Sequence, residues 1–186
     1  RDRSPSRGLG DVYKRQLFSY DEEQAKEIER TEDLVDRYED KLGTYLMKLT
    51  RAELSRGDSE SAAKYLHTLS DFERISDHAM NVCEAAHEIH EKKIRFSPEG
   101  ERELLVLSGA VNEILELSVT AFIDEDINRA YRVEPLEARI DVLRDEMKLR
   151  HVDRLQTGDC SLQTGFVFND PVSYTHLRAH ETDSYL

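Results

Sequence analysis

Apolar residues recur every three or four positions along most of the chain, and that period predicts long helices. From about Asp21 to Ser55, Ile28, Thr31, Val35, Tyr38, Leu42, Tyr45, Leu49 and Ala52 form one stripe at coiled-coil spacing. This stripe is expected to face a core. Arg56-Gly57-Asp58-Ser59 is expected to end the helix, with Gly57 as a left-handed C-cap and Asp58 or Ser59 capping the next. A second helix is expected over about Ser59 to Lys93, with Tyr65, Phe72, Ile75, Ala79, Val82, Ala86 and Ile89 in line. Ser97-Pro98 then reads as an N-cap followed by a first helical residue. The third helix, about Pro98 to Asp124, is apolar over a wide arc and is expected to be well buried. A fourth is expected from about Asp126 to Gln156, ended by Gly158, and a fifth from Ser161. No alternating strand pattern interrupts the series. Helices of roughly 30 residues are about 45 Å long, and short connectors force them antiparallel. The expected fold is all-α, an antiparallel bundle of long helices.

Composition and charge narrow the class. The 186 residues contain 26 Lys+Arg and 39 Asp+Glu, a net charge of −13. That balance argues against a nucleic-acid partner, which calls for a basic face, and against docking on an anionic bilayer. No uninterrupted apolar run approaches the ~18 residues of a spanning helix, so insertion of this segment into a bilayer is not expected. Two cysteines, Cys83 and Cys160, are too few for a disulfide framework.

The ends break the pattern. Residues 1–16 and 171–186 lack the helical period. Ser6 to Gln16 and Val172 to Thr182 resemble translations of one sequencing-library adapter read in its two orientations. Both ends are therefore expected to be non-native and disordered, with the bundle occupying 17–170. Removing their six basic and four acidic residues leaves 20 and 35, a net charge of −15. A faint internal repeat aligns Arg30-Thr31-Glu32-Asp33-Leu34 with Arg132-Val133-Glu134-Pro135-Leu136.

Candidate chemistry lies on the polar helix faces. Glu73 and Asp77 stand at i,i+4 on the second helix, Glu32 and Asp36 at i,i+4 on the first, and Glu134, Glu137 and Asp141 on the fourth. Like charges at that spacing repel, so carboxylates turned inward need a cation, an arginine or solvent. If two helices bring these faces together, oxygen coordination suits Mg, Ca, Mn or Fe better than Zn. A solvated acidic face is the simpler alternative. The single Glu84-x-x-His87 falls short of the paired motifs of a di-iron bundle. No Gly-x-Ser-x-Gly, Cys-x-x-Cys or Gly-rich phosphate loop occurs, and the chain is read as non-enzymatic.

The stretch Leu66 to Asn81 contains Glu73-Arg74-Ile75-Ser76-Asp77-His78-Ala79-Met80-Asn81, which resembles the E-R-I-x-D-x-x-x-N signature helix of PhoU-type domains. With Tyr38 to Leu46, Val133 to Asp141, Arg150 to Leu155 and Cys160 to Phe168, the chain looks like the cytosolic PhoU-like C-terminal domain of bacterial sodium/phosphate cotransporters. The resemblance implies two repeats of a three-helix bundle, both incomplete here. It implies a regulatory role in phosphate transport on the cytoplasmic side of the membrane, with the transmembrane transport domain of the same parent chain as partner and a homodimer as a further option. A free-standing PhoU-like regulator, contacting a phosphate ABC transporter and a sensor kinase, is the alternative. The resemblance also implies sites for iron or another multivalent cation. Glu73 and Asp77 match that motif best, Glu32 and Asp36 match the preceding helix, and Glu134 and Asp141 fall in the second repeat, where Ala138 stands in place of Asp36.

Overall fold

In the computed structural model, residues 20–51, 54–160 and 164 are described, and every regular element among them is a helix. The order is α1 (Glu22–Leu49), α2 (Arg56–Lys92), α3 (Pro98–Ile123), α4 (Ile127–Ala130) and α5 (Val133–Thr157). The expected all-α class is observed. The two end segments and the expected fifth helix lie outside the described residues, apart from Tyr20 and the helical, buried Thr164.

Local chemistry sets most of the boundaries. Asp21 accepts from the Glu23 N–H and caps α1, with Glu22 and Glu23 favourably placed in its first turn. Ser97 accepts from the Gly100 N–H and Pro98 opens α3, as expected. Gly158, at φ 80°, ends α5 in the left-handed conformation expected of it. Two expected boundaries are wrong. The first break lies near residues 50–55, before Arg56-Gly57-Asp58-Ser59, and Gly57 belongs to the first turn of α2. Ser55 and Asp58 bond reciprocally there: the Asp58 N–H donates to Ser55 Oγ (3.1 Å), and the hydroxyl donates to Asp58 Oδ2 (2.6 Å). The expected fourth helix is divided by a turn at Tyr131–Arg132, and Asp126 caps only the short α4.

The described residues form two compact units, Asp21–Glu84 and the residues from Ala85 on together with Tyr20. In the second unit α3 and α5 run antiparallel around Leu104, Leu107 and Met147, with Phe96, Val111, Ile140 and Leu143 packed against them. Glu103 of α3 accepts from Arg154 of α5 (2.7 Å) at side chains 13% and 12% exposed. Arg144, also buried, is held by Asp141 and Asp145. By length and composition α3 meets the requirement for crossing a membrane, contrary to the expectation from uninterrupted runs. Its Leu104 and Leu107 instead belong to the core shared with α5. The wide arc is not uniformly buried, since Leu105 and Val106 are exposed.

In the first unit α1 and α2 also run antiparallel. Glu29 acts electrostatically on Cys83 and Glu39 on Glu73, so early α1 faces late α2. The expected stripe of α1 divides: Ile28, Val35 and Leu49 are half-buried, and its other described members are exposed. Tyr38 (58%), Leu42 (42%) and Tyr45 (59%) are exposed. The half-buried positions beyond the first turn are Ala25, Ile28, Glu32, Val35, Glu39, Gly43, Leu46 and Leu49, with Gln24 before them, a line rotated away from the aromatic one. On α2 the N-terminal members of the expected stripe, Tyr65 and Phe72, are likewise exposed, whereas Cys83, Ala86 and Ile89 are buried.

Candidate metal centre

The rotation of α1 brings carboxylates together. Glu32 and Asp36 lie one helical turn apart, and Asp77 reaches them from α2. One carboxylate oxygen of each lies within 4.8 Å of the other two. Glu32 is half-buried, and Asp36 and Asp77 are exposed. Burial pushes the Glu32 carboxyl above the usual carboxylate range, and the charges of Asp36, Asp33, Asp77 and Glu29 push it further. The Glu73 carboxyl is raised for the same reasons: burial first, then Asp77 and Asp36, a hydrogen bond shared with Asp77, and Glu39. The two shifts thus reflect burial first and the gathering of like charges second. Three anionic oxygens at this spacing, two of them open to water, suit a hard cation that completes its shell with solvent. The donor set contains no thiolate or imidazole, so it offers zinc none of its softer ligands.

The six residues singled out from the sequence separate into two groups. Glu32, Asp36 and Asp77 form the cluster, and Glu73 couples to it without joining the three-oxygen set. Glu134 and Asp141 join no such group among the described residues, and Asp141 accepts from the Arg144 guanidinium (3.0 Å). Glu39 was not singled out. Its signal was present: Glu32, Val35 and Glu39 lie on one line of a helix of 3.6 residues per turn.

Two further features of the second unit escaped the sequence reading. An open groove of about 520 Å³ is lined by Glu113, Glu116 and Leu117 of α3, Arg129 of α4, and Arg132, Leu136 and Arg139 at and beyond the start of α5. Arg129 is held there by Asp124 and Asp126. Elsewhere, Cys160 Sγ lies 3.6 Å from His151 Nδ1. Burial pushes the His151 imidazole below the usual histidine range, Arg154 adds to that shift, and Glu103 opposes it.

Comparison with known proteins bears on the fold and on the α1–α2 segment. A model of the PhoU domain matches residues 11–86, a span that contains all four clustered or coupled carboxylates. The chain is 28% identical over 99 residues to the phosphate-specific transport system accessory protein PhoU homolog 1 of Thermotoga maritima. That match covers 53% of this chain, and the chain spans 42% of that relative's length. The crystal structure of PhoU from Pseudomonas aeruginosa superposes with a TM-score of 0.80 at 17% identity, over 92% of this chain and 81% of that one. At that identity the likeness concerns the fold. Residues 11–86 thus match the PhoU domain model, in a chain whose all-helical fold is similar to that of PhoU.

Proposed function

We propose that this chain is a non-catalytic PhoU-type regulatory domain acting in phosphate transport and homeostasis. The observation that carries this reading is the PhoU-domain match over the segment that holds the carboxylate cluster. The named relatives are PhoU proteins, one of them an accessory protein of phosphate-specific transport. They favour the setting of a free-standing regulator beside a phosphate transporter and its signalling partners over that of a sodium/phosphate cotransporter's cytoplasmic tail. The tail reading rests on the sequence stretches of α1, α2 and α5 and on Cys160 to Phe168 alone. A long read across the locus separates the two. An in-frame series of transmembrane helices upstream assigns the chain to a cotransporter, and their absence to the free-standing regulator. The regulatory role itself is tested by expressing the chain in a bacterium lacking its own PhoU. Restored control of phosphate uptake is expected, and unchanged uptake with soluble, folded chain present overturns the reading.

The cluster of Glu32, Asp36 and Asp77 is proposed to hold iron or another hard multivalent cation, with Glu73 reinforcing the negative potential. The cation would neutralise the mutual repulsion and join α1 to α2. Ligand that binds only the folded state stabilises it by about 2.7 kcal/mol at one hundred times its Kd. Titration with Mn²⁺ or Fe³⁺ is therefore expected to raise Tm in the unmodified chain. Asp77→Asn should abolish most of that rise while leaving the helical circular dichroism intact. An equal rise in both proteins would remove the cluster from consideration.

A further inference from the structure

The groove of the second unit holds charges that the fold leaves unused. Its volume of about 520 Å³ falls within the roughly 300–1,000 Å³ of small-molecule sites. Glu113 and Glu116 stand on its α3 wall, Arg132 and Arg139 at and beyond the start of α5, and Leu117 and Leu136 supply apolar surface. All four charged residues are exposed, and among the described residues none of the four enters an ion pair. Arg129 differs, because Asp124 and Asp126 hold it. Tyr131, the C-cap of α4, lines the same groove and is 74% exposed. The described residue beyond α5 lies elsewhere. Thr164 lines a small void with Phe96, Gly100 and His151, on the side of α5 that buries Arg144, Met147 and His151. At 3.6 residues per turn, Arg132, Pro135 and Arg139 are turned about 120–180° around α5 from Arg144. Thr164 therefore marks the opposite side of α5 from the groove.

We propose that this groove binds a nucleoside diphosphate. Arg132 and Arg139 are two turns apart on one helix, roughly 10 Å along its axis. Their long side chains can converge on two linked phosphoryl groups, which guanidinium forks bind bidentately. The ring of Tyr131 offers a base a face to stack on. Glu113 and Glu116 would accept from ribose hydroxyls or an exocyclic amine. The two walls also select against simpler occupants. A bare inorganic anion would meet the carboxylates of α3, and a polyamine the guanidinium groups of α5, each at an unfavourable charge. A ligand with phosphates on one side and hydroxyls on the other satisfies both walls. The groove shares no residue with the carboxylate cluster of α1 and α2, and its occupancy does not depend on a cation held there.

The full chain can be titrated calorimetrically with ADP, adenosine, pyrophosphate and inorganic phosphate. EDTA in the buffer keeps multivalent cations out of the carboxylate cluster, so the result does not depend on that site. ADP is expected to bind about tenfold or more tighter than adenosine, which lacks the phosphates, and about fivefold or more tighter than pyrophosphate, which lacks the base. Arg132→Gln combined with Arg139→Gln should weaken ADP about tenfold or more. The helical circular dichroism should stay intact, because neither side chain is buried or paired. Tyr131→Ala should weaken ADP about fivefold. No detectable binding of ADP, or ADP binding unmoved in the arginine double variant or in Tyr131→Ala, would overturn the proposal. So would equal affinity for ADP and pyrophosphate or inorganic phosphate, which would assign the arginines to a simple anion.

Discussion

The α1–α2 pair and the α3–α5 pair are both antiparallel long helices, and they arrange charge in opposite ways. Between α3 and α5 Leu104, Leu107 and Met147 form a core, although Val106, Leu149 and other apolar residues stay exposed, and the half-hidden charges are matched, Glu103 against Arg154 and Arg144 against Asp141 and Asp145. Along α1 and α2 the aromatic residues face outward, and like charges are gathered at Glu32, Asp36, Asp77 and Glu73. One pair follows the ordinary economy of a core. The other keeps an electrostatic cost in its folded state, as a binding site does when a ligand is to relieve that cost.

The contrast can be tested most severely through single truncations. Leu107→Ala, in the α3–α5 core, should cost about 3–4 kcal/mol, read as a lower urea midpoint. Tyr38→Ala on α1 should change stability by about 0.5 kcal/mol or less. Comparable losses at the two sites would show that the α1 face is covered in solution and would abolish the distinction. A smaller effect is expected from charge. Glu103→Gln leaves the nearly buried Arg154 opposite a neutral amide and should cost about 2 kcal/mol, whereas Glu27→Gln, at the exposed pair with Arg30, should be near neutral. Equal effects would mean that burial does not distinguish these two ion pairs.

The smallest expected effect is also the one that separates the regions by sign. Glu32 and Glu73 have raised carboxyl pKa values in the folded chain. Their contribution to stability is complete below the ordinary value of about 4.3. It is lost as pH rises through the folded-state value, because the unfolded chain releases its protons first. His78 and His151 are shifted downward, by burial first. Their contribution is present above about 6.5 and is lost as pH falls toward the folded-state value. Urea midpoints measured without added metal should therefore gain from Glu32→Gln at pH 7 and not at pH 4, and a multivalent cation should erase that gain. A Glu32→Gln variant no more stable than the parent at pH 7 would show that the cluster is not strained.

Features with a local cause were readable from the residues. Ser97-Pro98 opens α3 because a hydroxyl accepts a free N–H and proline has none to satisfy, and Gly158 closes α5 because it lacks the Cβ that opposes positive φ. The i,i+4 spacings of Glu32 with Asp36, and of Glu73 with Asp77, were equally visible, as was the match of Glu73 to Asn81 with the PhoU signature. The start of α2 was misplaced because Ser55, Asp58 and Ser59 are all competent caps, and their side chains compete within one turn. The turn at Tyr131–Arg132 escaped notice because the apolar period runs through it without a glycine and reaches Pro135 only within the next helix.

Taken alone, the amino-acid sequence determined the helical class, most helix ends and the acidic pairs, since each depends on interactions within a few residues of one helix. Only the tertiary structure decided which side of α1 turns toward α2, because Tyr38 and Glu39 are neighbours on one helix and period alone cannot rank their faces. Once Ile28, Val35 and Leu46 are packed inward, Glu32 and Glu39 follow them, Tyr38 and Tyr45 are left outside, and Asp77 meets Glu32 and Asp36. That choice belongs to the packing of two helices rather than to either one, and it both assembles the carboxylate cluster and leaves Tyr38 and Tyr45 exposed.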